Sequence, residues 1–115
     1  TLHCPVTDDS RNLINQNRIA QMKKGAILIN AARGPIVDSK ALADALNSGY
    51  LRGAGVDVFE MEPPLPMDHP LLHSINTIVT PHIAFASDES MEIRAEIVFE
   101  NIQKWMNKEQ VNIIL

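Results

Sequence analysis

The 115-residue chain carries 10 basic and 14 acidic side chains, a net charge of −4, and 45% hydrophobic residues. That is enough apolar material for one domain that buries roughly two-thirds of its unfolded surface, and the acidic balance argues against broad binding to nucleic acid or anionic lipid. No apolar run approaches the ~20 residues of a membrane helix and no signal peptide is visible, while the single cysteine, Cys4, excludes an internal disulfide framework and suits a reducing cytoplasm.

Thr1 to Cys4 reads as the tail of a strand, stopped by Pro5, and the polar loop VTDDSRN follows. Asn15 is a suitable helix N-cap, with Ile14 and Ile19 spaced as a hydrophobic staple. The helix is expected to run to about Lys24, with Lys23 and Lys24 in its last turn and Gly25 as its stop. AILIN, from Ala26 to Asn30, is short and continuously apolar, which predicts a strand buried on both faces of a parallel sheet. A second helix starts at Asp38; Val37 and Leu42 repeat the staple spacing. Ala41, Leu42, Ala45 and Leu46 make its apolar stripe, and Gly49 ends it. Gly53 to Phe59 reads as a strand, then comes a proline-rich loop, then a strand from Asn76 to Pro81. One long helix is expected from about Asp88 to Asn107, with Met91, Ala95, Val98, Ile102 and Trp105 at helical spacing.

This alternation predicts an α/β domain built on a mainly parallel sheet. In such sheets ligands bind outside the carboxyl ends of the strands. The residues able to do chemistry collect there: Cys4 and Pro5 after the first strand, Ala31, Ala32 and Arg33 after the second, Asp57 in the third, His82 after the fourth.

Ala31 and Ala32 leave room for a ligand to approach the backbone, Gly34 permits an unusual turn, and Pro35 stiffens its exit. Such a turn can hold the Arg33 guanidinium as a fork for a carboxylate, although a solvated loop arginine has the same local pattern. His82 follows VTP, where the proline fixes the chain's exit. An imidazole there can give or take a proton near neutral pH, or serve merely as a cap or core group. A carboxylate at the strand mouth can orient that imidazole, and the spacing does not choose between Glu60 and Glu62. Asp57 lies in an apolar strand and needs a partner, either a ligand amide or a nearby backbone N–H. His69 and His73 read as structural, Cys4 as a small packing residue. The chain has neither metal-ligand spacing nor a Gly-x-Gly-x-x-Gly turn.

Five segments occur in the order and spacing of one family: LHCPVT, LINQNRIAQMKKGAILINAARGPIVDSKALADAL, GAGVDVFEMEPP, HPLL and TPHIA. On these the chain resembles the NAD-dependent D-isomer-specific 2-hydroxyacid dehydrogenases, and HIAFAS resembles their glycerate or hydroxypyruvate reductase branch. The resemblance implies that Arg33 binds the substrate carboxylate and polarises its keto oxygen, that His82 donates and accepts the proton, and that Glu62, rather than Glu60, pairs with this histidine. It implies that Asp57 holds the nicotinamide carboxamide. Cys4, Pro5, Ala31, Ala32, Arg33 and the turn from His82 through Ala84 to Phe85 fall where family members touch the cofactor, NAD or NADP. The implied fold is the second half of a Rossmann-like NAD-binding domain with a C-terminal tail. The family's glycine-rich pyrophosphate turn and its substrate domain have no counterpart in these 115 residues. The chain is therefore expected to be a fragment, inactive in isolation, with an exposed sheet edge that favours association into a homodimer. A different class of function is implied as the alternative: an NAD(H)-sensing, corepressor-like binding module that keeps the fold and acts through partners.

Overall fold

A computed structural model describes residues 1–61 and 64–113. It divides into two compact units, Thr1–Ile83 and Ala84–Leu115.

The first unit is a three-stranded parallel sheet with its short helices. Strand β1 is Ile27–Asn30, β2 is Gly53–Val56 and β3 is Thr77–Val79, in the spatial order β1-β2-β3. The register pairs Leu28 with Ala54 and Val56 with Val79. Each strand is shorter than its sequence predicts. The expected first strand reduces to one parallel bridge between Leu2 and Asn30, made by the Leu2 N–H donating to the Ile29 carbonyl at 3.0 Å.

Helix α1 spans Gln16–Ala20 and α2 spans Ser39–Asn47. Both start where the sequence says: the Asn15 and Asp38 side chains accept the N–H groups of Arg18 and Ala41 at 3.1 and 2.9 Å. The first helix stops four residues early. The N–H groups of Gln21 and Met22 bond back to the carbonyls of Arg18 and Ile19, three residues earlier, which tightens the chain out of the helix. The Tyr50 hydroxyl lies 2.9 and 2.6 Å from the carbonyls of Ala20 and Met22 and satisfies helix-end acceptors that a further turn would have used. Lys23 and Lys24 thus sit in a turn outside the helix, and Gly25 takes φ +81° within it.

Leu28, Leu42, Leu46, Leu51, Ala54 and Val56 form the core, with Val37 and Ile19 joining from the helix entries. The stripe read from α2 is the face that packs. Burial of β1 on both faces does not hold. Ile27 and Ile29 are 59% and 47% exposed, and Ile78, in register with Ile29 through Gly55, is 72% exposed. Only the face carrying Leu28 and Asn30 is covered by the described residues of this chain.

The second unit holds helix α3, Asp88–Met106. The Ser87 hydroxyl caps it by accepting the Ser90 N–H at 3.2 Å. Asp88 and Glu89 lie in its first turn and Lys104 in its last, each suited to the dipole there. The Glu89 carboxyl is held below its ordinary pKa by its own backbone N–H and by Ser87. No residue of α3 is buried, and its apolar stripe, including Met91, Val98, Ile102 and Trp105, is exposed. No described helix is long and apolar enough to cross a membrane.

Candidate active site

The carboxyl ends of the three strands carry the loops that the sequence singled out. After β1, Asn30 is buried and its side chain closes the Ala31–Ala32–Arg33 turn from inside. Its Oδ1 accepts the Ala32 N–H at 3.1 Å and its Nδ2 donates to the Arg33 carbonyl at 3.0 Å. Sequence reasoning passed over Asn30, although a polar residue ending an apolar strand requires such partners. Asn30→Ala is expected to strip both groups of their partner and lower stability by about 1–3 kcal/mol. The urea midpoint measures this, and an unchanged midpoint would mean that the turn holds itself.

The chain then forms a single 3-10 turn, Gly34–Ile36, whose last bonds run from the Ile36 and Val37 N–H groups to the carbonyls of Arg33 and Gly34 at 3.4 and 3.1 Å. The glycine is needed here for close approach: a Cβ on Gly34 would lie 1.7 Å from the Phe59 carbonyl oxygen. The unusual backbone angle anticipated at Gly34 is absent, for the glycines with positive φ are Gly25 and Gly49. The Arg33 side chain is exposed, and its Nη1 donates to the Ala32 carbonyl at 2.6 Å.

Asp57, just past β2, is 5% exposed. Its Oδ1 accepts the Ile83 N–H at 2.9 Å and the Thr80 hydroxyl, and its backbone carbonyl accepts the His82 N–H at 2.9 Å. Of the two partners open to Asp57, the backbone N–H is therefore present. These bonds grip the chain on both sides of His82, which sits at φ +58°. Left-handed backbone is uncommon outside glycine, histidine being among the residues that enter it more readily, and the bonds to Asp57 hold His82 there.

Arg33 and His82 line one cavity of about 150 Å³, together with Gly34, Pro35, Val58, Phe59, Glu60 and Met61. A second cavity, about 360 Å³, is lined by Leu2, His3, Cys4, Pro5, Ala31, Ala32 and Arg33. Arg33 belongs to both. The lining of the second cavity mixes the small or apolar side chains of Ala31, Ala32, Leu2 and Pro5 with the polar His3, Cys4 and Arg33. Cys4 is half-buried and His3 bonds to Thr1 Oγ1 at 2.9 Å. Ala84 and Phe85 belong to the second unit, where the Arg94 guanidinium lies 4.6 Å from the centre of the Phe85 ring.

Glu62 lies outside the described residues. Its competitor Glu60 is engaged elsewhere: Oε2 accepts the Ser39 hydroxyl at 2.7 Å and Oε1 lies 3.2 Å from His69 Nε2. Burial pushes the Glu60 carboxyl up, but bonds from Ser39, its own backbone N–H and His69 outweigh this and hold it below its ordinary pKa. His69 is structural, as read: it is buried, its Nδ1 accepts the Leu71 N–H at 3.3 Å, and its ring meets Phe59 edge-on at 5.3 Å. His73 bonds through Nε2 to the Met67 carbonyl at 2.6 Å.

A parallel sheet whose strand ends gather a guanidinium, an imidazole and a cavity floored by alanines defines a ligand-binding α/β domain of the nucleotide-binding kind. Residues 1–84 match the family profile of the D-isomer specific 2-hydroxyacid dehydrogenase NAD binding domain, and the chain belongs to that family. It is 47% identical over 102 residues to a glyoxylate reductase of Thermofilum pendens, covering 89% of this chain and 30% of that protein. It is 40% identical over 113 residues to a hydroxypyruvate reductase of Blautia hydrogenotrophica, covering 98% and 35%. A solved D-lactate dehydrogenase with NAD+ from Lactobacillus jensenii superposes with a TM-score of 0.85 at 33% identity, covering 99% of this chain and 38% of that one. The chain spans about a third of the length of the curated relatives it matches.

Proposed function

We propose that the protein carrying this chain is an NAD(P)-dependent oxidoreductase acting on a small D-2-hydroxy acid and its 2-oxo acid, with hydroxypyruvate, glyoxylate and glycerate the favoured pairings. The observation that carries this reading is the shared cavity of Arg33 and His82 at the carboxyl end of the sheet. The names of the similar glyoxylate and hydroxypyruvate reductases support the substrate class.

Leu2, Cys4, Pro5, Ala31 and Ala32, which line one cavity, would hold the cofactor, with Asp57 serving its nicotinamide carboxamide. A reduced nicotinamide bound by these residues would supply the hydride for C2 of the 2-oxo acid. Arg33 forks onto the substrate carboxylate and offsets charge growing on the keto oxygen. His82, as imidazolium, gives its proton to that oxygen, so that hydride plus proton yield the 2-hydroxy acid. Glu62 steadies the imidazolium through the cycle, and oxidation runs the same transfers in reverse. The reading includes residence in the cytoplasm, supported by the lone cysteine, and assembly as a homodimer, supported by the uncovered apolar side chains of β1 and β3.

The test is turnover of hydroxypyruvate and glyoxylate with NADH and NADPH, beside the Arg33→Gln variant, with the mass in solution read by light scattering. Turnover should fall about 10²–10³-fold in the variant, and the mass should be that of two copies. Activity that does not depend on Arg33 would overturn the mechanism, and a monomer would overturn the assembly. No turnover in either form, with cofactor still bound, would favour the sensing module instead.

A further inference from the structure

Glu60 lines the cavity of Arg33 and His82 without a chemical step assigned to it, and its side chain joins three separate parts of the first unit. Ser39, 8% exposed, opens helix α2 directly after the Arg33 turn, and His69, 5% exposed, precedes the 3-10 turn Pro70–Leu72. The carboxylate of Glu60 bonds to both, at 2.7 and 3.2 Å. His69 accepts the Leu71 N–H at Nδ1, so the neutral ring carries its proton on Nε2, directed at Glu60 Oε1. The same ring packs edge-on to Phe59. The Phe59 carbonyl in turn rests against Gly34, beside Arg33. No main-chain bond of a strand ladder holds residues 58–61, which leave β2 and form one wall of the cavity shared by Arg33 and His82.

We propose that Glu60, gripped by Ser39 and His69, is a positioning residue that sets the Phe59–Met61 wall against the Arg33 turn and so fixes the fit of the 2-oxo acid. The proposal rests on the dehydrogenase reading for its substrate. Without this tie the wall still leaves the sheet at Val56, but it can move away from the guanidinium, and a displacement of about 1 Å at a binding wall is enough to cost orders of magnitude in rate.

The test compares Glu60→Ala and Glu60→Gln in the protein that carries this chain. Alanine removes both bonds. Glutamine keeps them, because its amide oxygen accepts from His69 Nε2 and its amide N–H donates to the Ser39 hydroxyl, which can turn to accept. Glu60→Ala should raise KM for the 2-oxo acid about tenfold, lower kcat less, leave NADH affinity unchanged, and shift the NMR resonances of the Phe59 ring and the Met61 methyl. Glu60→Gln should return KM and these resonances to near their original values. Unaltered resonances in Glu60→Ala, or unaltered KM while Arg33→Gln loses turnover, overturns the proposal. A glutamine variant as impaired as the alanine one also overturns it, since charge rather than placement would then be at work. If turnover proves independent of Arg33, the dehydrogenase reading fails, and the Phe59 and Met61 resonances still decide whether Glu60 holds the wall.

Discussion

His82→Asn is expected to lower kcat by about 10²–10⁴-fold while leaving the fold intact. Asparagine is the informative replacement because of the backbone. His82 sits at φ +58°, a conformation that asparagine enters more readily than most residues. The bonds from the His82 and Ile83 N–H groups to Asp57 are main-chain donations that asparagine retains. A loss of turnover therefore reports the missing imidazole, since a carboxamide neither gives nor takes a proton near neutral pH. A melting temperature within a few degrees of the original would show that the grip of Asp57 survives. If the variant kept turnover within about tenfold of the parent, proton transfer by His82 would have to be abandoned.

Gly34→Ala is expected to be the most damaging of the glycine-to-alanine changes. The added Cβ would fall 1.7 Å from the Phe59 oxygen, 1.8 Å from the Phe59 carbonyl carbon and 2.5 Å from the Glu60 nitrogen. All three are backbone atoms, so no side chain can swing aside. Overpacking of a kind that only main-chain movement relieves should cost about 3 kcal/mol or more, a large share of an ordinary domain's stability. The movement would part the Arg33 turn from the 59–61 wall, so turnover should fall together with the urea midpoint. Gly49→Ala is the control: space is open there, and the penalty comes from φ +70° alone. Equal midpoints for Gly34→Ala and the parent would show that the two loops are not in contact.

Much of this arrangement was legible in the residues. Asn15 and Asp38 announced their helices because a short polar side chain before an apolar-periodic run has one obvious use. The gathering of Arg33, Asp57 and His82 followed from the alternation of elements alone, since parallel strands present their carboxyl ends on one side. Four kinds of information were not local. The early end of α1 depends on Tyr50, some 30 residues away in sequence, whose hydroxyl meets the Ala20 and Met22 carbonyls. The exposed face of β1 depends on what covers it, which a run such as AILIN does not encode. The need for glycine at position 34 comes from Phe59, and the sequence displays only that glycine tolerates more angles. Glu60 and Glu62 were indistinguishable by spacing. The partners of Glu60, Ser39 and His69, are 21 and 9 residues from it and became visible only in three dimensions.

The contact at Gly34 is made to a carbonyl, and every amino acid brings the same carbonyl to position 59. A seam that meets through main-chain atoms does not depend on which side chain stands at position 59, and its hold rests on the Glu60 carboxylate beside it. Met61, 45% exposed on the same wall, can change without touching the seam, so its shape and polarity bear on the acid bound in the cavity. A directed-evolution library seeking new acids would find its permissive position at residue 61 and its forbidden one at residue 34.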